Sequence, residues 1–304
     1  MLFVPENVGY ILFTKTNLYL SVIFVHYAVF SYVGYIPLAL CRLWCILESR
    51  KGTDIYKQLF KKGKITMNKN RNDIYKGYYN PETIAKFKAA LDDAKKIVTD
   101  PNFSGKVKIS SGNTKMGAVP SVSMLPFITC PARCAETCGP DCYAAKLANL
   151  RENVRNAWAY NTALAMFRPE IYWSEIREIL AVSRYFRFHV SGDFLNCAYF
   201  QEVVKSAIDF PKCEILAFTA RFEIVNKWIK NNGPLPENLH LHFSGAHGRD
   251  TKNVNDLPET RIIYKGENPE ETWKVCGGNC FNCACRGVGC WTSKKGETIC
   301  FKKH

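Results

Sequence analysis

Residues 184–194 read RYFRFHVSGDF and have the pattern of a β-strand that ends in a short polar turn. Residues 184–190 alternate and are apolar enough to form a buried strand. Ser191, Gly192 and Asp193 follow at once. Because ligands of parallel α/β proteins bind at the carboxyl ends of strands, these three residues are candidate ligand-binding residues.

Strands and helices alternate on both sides of this segment. Upstream, helices are predicted over residues 143–167 and 170–183. Downstream, the predicted order is a helix over 196–209, a strand over 213–219, a helix over 222–231 and strands over 239–243 and 261–264. This alternation predicts parallel strands with helical crossovers, and no glycine motif for dinucleotides or phosphates is present. We therefore expect an α/β fold, a partial TIM-like barrel of parallel strands, with a cysteine-rich metal-binding C-terminal tail.

Length and composition are those of a folded protein. The chain has 304 residues, of which 47% are apolar and 22% charged, and this excludes a disordered or collagenous protein. Four parts are predicted. They are an apolar segment (1–66), a helical arm (67–104) whose helix starts at Asn80-Pro81, an α/β core (105–270) and the cysteine-rich tail (271–304).

The apolar segment has two interpretations. Residues 18–41 contain no Asp, Glu, Lys or Arg, which fits a membrane-spanning helix with the following residues in the cytoplasm. Alternatively, the natural start is Met67, because Lys62-Gly63-Lys64 can be encoded by a purine run that resembles a ribosome-binding site. Under either interpretation we expect the chain from Met67 onward to be cytoplasmic and to fold without residues 1–66.

The first cysteine group predicts a metal site. Its members are Cys130, Cys134, Cys138 and Cys142, with three residues in each gap. Structural zinc sites usually combine two cysteine pairs across a long gap, whereas evenly spaced cysteines in one loop are typical of an iron–sulfur cluster. We expect a [4Fe–4S] cluster here, and a zinc-held loop is the alternative.

A second cysteine group lies near the end of the sequence. Six cysteines follow residue 275, and the expected ligands are Cys276, Cys280, Cys283 and Cys290. Nearby glycines let a short chain wrap around an ion. The expected metal is either zinc or a second iron–sulfur cluster. Either would contribute most of the folding free energy of so short a tail. Clustered metal-binding thiols also indicate a reducing compartment.

Charge and histidines add little to a functional assignment. The formal net charge is +14, but eight metal-bound thiolates would offset much of it, so nucleic-acid binding is only weakly supported. His240 and His242 alternate on a predicted strand and therefore point to the same side. Buried, hydrogen-bonded histidines are the favoured interpretation over metal ligands.

Several motifs together resemble the phage gene product 88 family, whose biochemical function is unknown. The resemblance covers about residues 105–304. It rests on residues 110–117 (SSGNTKMG), 129–131 (TCP), 142–144 (CYA), Asn161, 188–194 (FHVSGDF), Phe301 and His304.

A more distant similarity connects the chain with radical S-adenosylmethionine enzymes. In those proteins a three-cysteine loop follows the first barrel strand, and a Gly-Gly-Glu-like end of the second strand holds the cofactor's amino group. Here the order is the same, although every gap in the cysteine loop is three residues and Asp193 stands in place of Glu. The similarity implies an iron–sulfur site and S-adenosylmethionine bound at Ser191, Gly192 and Asp193.

Two functional hypotheses follow. The first is an iron–sulfur protein of phage or mobile-element type with radical S-adenosylmethionine-like activity on an unknown substrate. The second is a non-enzymatic zinc protein that binds nucleic acid or a host partner. A membrane is a partner only if residues 1–66 belong to the natural protein.

Overall fold

The structure, a computed structural model, describes residues 77–245 and 251–303, which contain seven α-helices and seven parallel β-strands. The helices are α1 (Pro81–Val98), α2 (Tyr143–Leu150), α3 (Glu152–Phe167), α4 (Pro169–Val182), α5 (Cys197–Asp209), α6 (Phe222–Asn232) and α7 (Cys280–Arg286). The strands are β1 (Ser121–Val122), β2 (Tyr185–Phe188), β3 (Glu214–Thr219), β4 (Leu239–Ser244), β5 (Glu259–Ile263), β6 (Lys274–Val275) and β7 (Thr298–Lys302). Within these ranges every helix is too short or too polar to cross a bilayer. The predictions for residues 1–66, including the membrane segment at 18–41, lie outside the described residues.

Helix α1 begins where the sequence predicts. The Asn80 side chain accepts a hydrogen bond from the Thr83 backbone N–H, and Pro81 occupies the first helical position. Phe87, Ala94 and Val98 are buried on one face of the helix, which packs against α3.

The helix predicted over residues 143–167 is two helices. Arg151 has extended backbone angles and separates α2 from α3. The Arg155 side chain then donates a hydrogen bond of 3.0 Å to the carbonyl of Ala148, a group that the end of α2 leaves without a helical partner.

The strands form one sheet in the order β1-β2-β3-β4-β5-β7-β6, and every pairing is parallel. Helices α5 and α6 connect β2 to β3 and β3 to β4, which confirms the predicted crossovers. The two end strands are β1 and β6, and among the described residues no pairing joins them into a closed barrel. The structure thus shows a parallel α/β sheet.

Different parts of the chain pack on the two faces of the sheet. Residues such as Phe186, Ile215 and Leu241 belong to the main hydrophobic core, to which α1 through α6 also contribute. Tyr185 and Leu216 point to the opposite face, where they pack with Trp291 from the C-terminal part of the chain. This division follows from the alternation of side chains along each strand.

The sequence does not predict β6 and β7. Strand β7 pairs with both β5 and β6, and its Ile299 and Cys300 are buried. The cysteine-rich segment is therefore attached to the core by backbone pairing and side-chain burial. Both strands are short and stand among polar and glycine residues, so no long apolar run marks them in the sequence.

Candidate metal site at the carboxyl edge of the sheet

The first cysteine loop, residues 130–142, lies next to the carboxyl ends of β2 and β3. Just before it, the Thr129 hydroxyl accepts a hydrogen bond of 3.0 Å from the Asp193 N–H. The Arg221 guanidinium donates one of 2.7 Å to the Thr129 carbonyl. Just after it, the Tyr143 hydroxyl donates to the Val190 carbonyl. Both ends of the loop are thereby fixed to residues that follow the two strands.

Asp193 is the centre of this attachment. Its carboxylate accepts hydrogen bonds from the Phe194 N–H (2.8 Å), the Thr219 hydroxyl (2.6 Å) and the Ala220 N–H (2.8 Å). The side chain is only 4% exposed, and this burial raises the pKa of Asp193, while the hydrogen bonds and Arg221 act in the opposite direction. The side chain of Asn196, and not that of Asp193, caps helix α5.

Ser191 and Gly192 also make internal contacts. The Ser191 hydroxyl donates a hydrogen bond of 2.9 Å to the carbonyl of Met124, and the Met124 N–H donates to the Ser191 carbonyl. A Cβ atom on Gly192 would lie 2.6 Å from the Thr129 hydroxyl oxygen, so this position is closely packed. The predicted ligand-binding residues thus lie beside the cysteine loop, but their polar groups are engaged within the protein.

The thiols of the first loop differ in their surroundings. Cys134 is buried, and Cys130, Cys138 and Cys142 are partly exposed. The Cys142 sulfur accepts a hydrogen bond of 3.4 Å from the Ala145 N–H at the start of α2. Burial raises the pKa of Cys142 to about 11, and the neighbouring thiol of Cys138 adds to the rise. A cation at these sulfurs would reverse this effect and favour the thiolates.

The four predicted ligands of the second group are also neighbours. Burial raises the pKa of Cys290 to about 12, and the nearby thiols of Cys276, Cys280 and Cys283 raise it further. Cys285 is exposed instead.

Glycines and a backbone N–H surround these sulfurs closely. The Gly278 N–H donates a hydrogen bond of 3.4 Å to the Cys276 sulfur. The Cys283 sulfur lies 3.7 Å and 3.6 Å from the positions that a Cβ atom would take on Gly277 and Gly289. Backbone N–H groups that bond to sulfur stabilise a metal-bound thiolate.

The metal ligation predicted for both groups is not shown by the structure. Within residues 77–245 and 251–303 no three His, Cys, Asp or Glu side chains are arranged to hold one metal ion. None of the described cysteines forms a disulfide bond. The donor set of each group fits iron–sulfur or zinc chemistry. Rotation about the Cα–Cβ bonds moves the sulfur atoms without any change in the backbone.

Tyr143 lies between the two cysteine groups. Tyr143 is 52% exposed, and its hydroxyl donates a hydrogen bond to the Val190 carbonyl. Desolvation at this hydroxyl raises the pKa of Tyr143, Arg187 lowers it, and the thiols of Cys142, Cys280 and Cys130 raise it further. A second link is the ion pair of 2.8 Å between Lys303, just after β7, and Asp141 of the first loop. The C-terminal part of the chain therefore lies next to the first cysteine loop.

Three histidines form hydrogen bonds within the protein. His240 and His242 lie on the same side of β4, as predicted. They form hydrogen bonds to the Glu214 carboxylate (2.6 Å) and the Cys290 carbonyl (2.9 Å). His189 follows β2 with a backbone φ of +58°, and its Nε2 atom lies 3.1 Å from the Tyr199 hydroxyl. Burial lowers the pKa of His189 to about 3, so its ring is neutral.

The predicted site residues do not include Arg187, and the sequence marks Thr129, Tyr143 and Arg221 only as members of the TCP and CYA motifs and of a strand end. Arg221 does follow a predicted strand, which is a usable signal. Arg187 interrupts an apolar strand with a positive charge, which is another. Thr129 and Tyr143 stand in the TCP and CYA motifs, but their roles depend on contacts across the fold.

The sequence profile of the family described as gene product 88 matches residues 85–298. The match covers α1 from residue 85 onward, both cysteine groups and β1 through β6. No curated protein and no solved structure matches the chain.

Proposed function

The chain belongs to the gene product 88 family, and on that premise we propose that it is an iron–sulfur protein whose cluster is held by the first cysteine loop. The expected ligands are Cys130, Cys138 and Cys142, with Cys134 as the fourth ligand or a spare thiol. An iron–sulfur cluster supplies one-electron transfer, and an iron with an open coordination position also binds a small ligand.

The observation that carries this proposal is the attachment of the loop to the carboxyl ends of β2 and β3. This edge is where parallel α/β proteins bind ligands. Thr129, Asp193 and Arg221 hold one end of the loop there, and Tyr143 holds the other. Four thiols in a loop fixed at that edge favour a functional centre over a surface zinc knuckle.

Protein groups would also orient the cluster ligands. The N–H groups at the start of α2 point to the Cys142 sulfur and stabilise its thiolate form. The Arg133 side chain, inside the loop, forms an ion pair with Glu223 of α6. These contacts hold the loop in one arrangement, which a metal centre requires of its supporting residues.

S-adenosylmethionine, the cofactor implied by the distant resemblance to radical enzymes, fits the present contacts poorly. The Asp193 carboxylate accepts three internal hydrogen bonds and is buried, and Thr129 and Met124 pack closely against Gly192. We assign Ser191, Gly192 and Asp193 to the support of the loop. Their part in binding this cofactor, and a barrel that encloses a substrate, remain predictions from the sequence.

The second cysteine group is proposed to hold a separate metal centre through Cys276, Cys280, Cys283 and Cys290. The thiols of Cys276, Cys280 and Cys283 act electrostatically on that of Cys290, a backbone N–H bonds to one sulfur, and glycines lie close to another. Zinc and an iron–sulfur cluster both suit four thiolates.

Anaerobic purification of the full chain, followed by iron, sulfide and zinc analysis, tests the proposal. We expect about four iron and four sulfide ions for each cluster, with visible absorption. The Cys142→Ser variant should lose the first cluster. Cys197→Ser is the matched control, because Cys197 lies on α5 outside both groups, and it should keep the wild-type iron content.

Two results would contradict the proposal. One is an unchanged iron content in Cys142→Ser. The other is zinc without sulfide in the wild type, which would favour the alternative of a zinc-held loop.

A further inference from the structure

Arg187 of β2 is a cation in unusual surroundings. Its side chain points to the face of the sheet that the C-terminal cysteine segment covers. There its Nη1 atom lies 3.7 Å from the Cys280 sulfur and 3.1 Å from the Met116 sulfur. The guanidinium also stacks on the Phe218 ring, with 4.7 Å from its central carbon to the ring centroid.

These neighbours do not neutralise the charge. Among the described residues no carboxylate forms an ion pair with Arg187, whereas Arg133, Arg168, Arg177 and Arg261 each have at least one. The Nε atom of Arg187 is buried and has no hydrogen-bond partner in the same part of the chain. A partly buried cation with sulfur and aromatic neighbours is costly unless an anion is added.

We propose that Arg187 is the counter-cation of an anionic four-thiolate metal centre formed by Cys276, Cys280, Cys283 and Cys290. This inference deepens the proposed function and rests on its second centre. The aromatic ring of Phe218 fixes the guanidinium on one side, so that its charge is held toward Cys280.

The charge of such a centre matches this role. A divalent ion with four thiolates carries a net charge of about −2. An iron–sulfur core with a charge of about +2, bound by four thiolates, has the same net charge. Arg187 neutralises part of this charge from the sheet side, where Tyr185, Leu216 and Phe218 exclude water. The opposite side of the segment is open to solvent, as the exposed Cys285 shows.

Arg187 acts through the thiolates and not on a reacting atom, so it is a positioning residue. Nearby charges and hydrogen bonds to sulfur set both metal affinity and reduction potential. A positive charge near the cluster favours the reduced, more negative form, so its loss should lower the potential.

The test uses the full chain as purified and compares wild type, Arg187→Gln, Arg187→Lys and Arg184→Gln. Arg184 is the matched control because it precedes the same strand and is exposed. The first measurement is the rate at which the C-terminal metal is released to an excess of chelator. If the centre is an iron–sulfur cluster, its midpoint potential is measured as well. The signal is assigned to this centre by its loss in Cys283→Ser.

We expect about tenfold faster release from Arg187→Gln, and a lower potential where a cluster is present. Arg187→Lys should recover much of both values because it keeps the charge, and Arg184→Gln should match the wild type. A loss of packing alone would not be rescued by lysine.

Two results would overturn the inference. One is a metal release rate and a midpoint potential in Arg187→Gln that equal those of the wild type. The other is the absence of any metal that depends on Cys283, which would remove the second centre itself. Wild-type behaviour of Arg187→Gln would leave the proposed function intact. A chain that holds metal only at the second cysteine group would refute the proposal for the first loop, and this inference would stand.

Discussion

Gly192 and Gly233 both have a positive φ, of +81° and +91°, but their surroundings differ. A Cβ atom on Gly192 would lie 2.6 Å from the Thr129 hydroxyl oxygen and 2.8 Å from the Met124 Cβ atom. A Cβ atom on Gly233, at the end of α6, would have no neighbour within 4 Å among the described residues. The two positions therefore separate backbone strain from close packing.

We predict that Gly192→Ala destabilises the protein more than Gly233→Ala does. An alanine at a positive φ is strained at both positions, by about 1–3 kcal/mol. At Gly192 the clash with Met124 and Thr129 adds about 1–3 kcal/mol, the usual cost of overpacking. Urea unfolding measures both variants against the wild type. Equal losses at the two glycines would show that the contact between the β2 end and the cysteine loop is loose.

Among the elements, the short 3₁₀ turn Gly289–Trp291 connects the cysteine segment to the sheet. The Trp291 ring lies 5.4 Å from that of Tyr185 on β2 and 5.8 Å from that of His240 on β4. Its indole N–H donates a hydrogen bond of 3.0 Å to the Cys280 carbonyl. One buried side chain thus joins α7 to two strands.

We predict that Trp291→Ala lowers the free energy of unfolding by about 3–5 kcal/mol, the usual range for a buried aromatic residue. Val288→Ala, in the same segment, should change it by less than about 0.5 kcal/mol because Val288 is exposed. Unfolding followed by far-UV circular dichroism compares the two. Similar small losses for both would mean that the segment is held by metal ligation and not by this packing.

The sequence predicts the regular elements well and the joining contacts poorly. Helix α1 and strands β2, β3 and β4 have strong local signals: a capping residue, a proline and alternating apolar positions. The dipeptide strand β6 and the place of β7 inside the sheet depend on pairing between distant segments, which no local pattern encodes. The site follows the same rule, since cysteine spacing is visible in the sequence and the Asp193 network is not.

For the whole molecule, buried neutral histidines on both faces of the sheet link stability to pH. His189 packs with Phe194 and Tyr199 on the helical side, and His242 packs with Phe218 on the other. Burial lowers the pKa of His189 to about 3 and that of His242 to about 4. The unfolded chain therefore binds protons near pH 6.5 that the folded chain does not, so acid favours unfolding.

We predict that the free energy of unfolding is constant above about pH 7 and falls as the pH drops through 6.5 toward the folded-state values. Each of the two histidines contributes a loss of about 2 kcal/mol between pH 7 and pH 5. In His189→Gln the difference in the free energy of unfolding between pH 7 and pH 5 should be smaller than in the wild type by that amount. This holds whatever the absolute stability of the variant. Urea titrations at pH 7 and pH 5 measure it. The same pH difference in variant and wild type would mean that His189 is protonated in the folded protein.

The strand order also has a consequence for synthesis of the chain. Among the described strands β6 pairs only with β7, which leaves the ribosome after it. Until β7 emerges, β5 has an unpaired edge, and the apolar face around Tyr185 and Leu216 lacks the cover of Trp291. Strands β1 through β5 can pair during translation, but the sheet is complete only after the cysteine segment has been made. A nascent chain stalled before residue 298 would expose an open edge and free thiols together, and would be a ready substrate for proteases and chaperones.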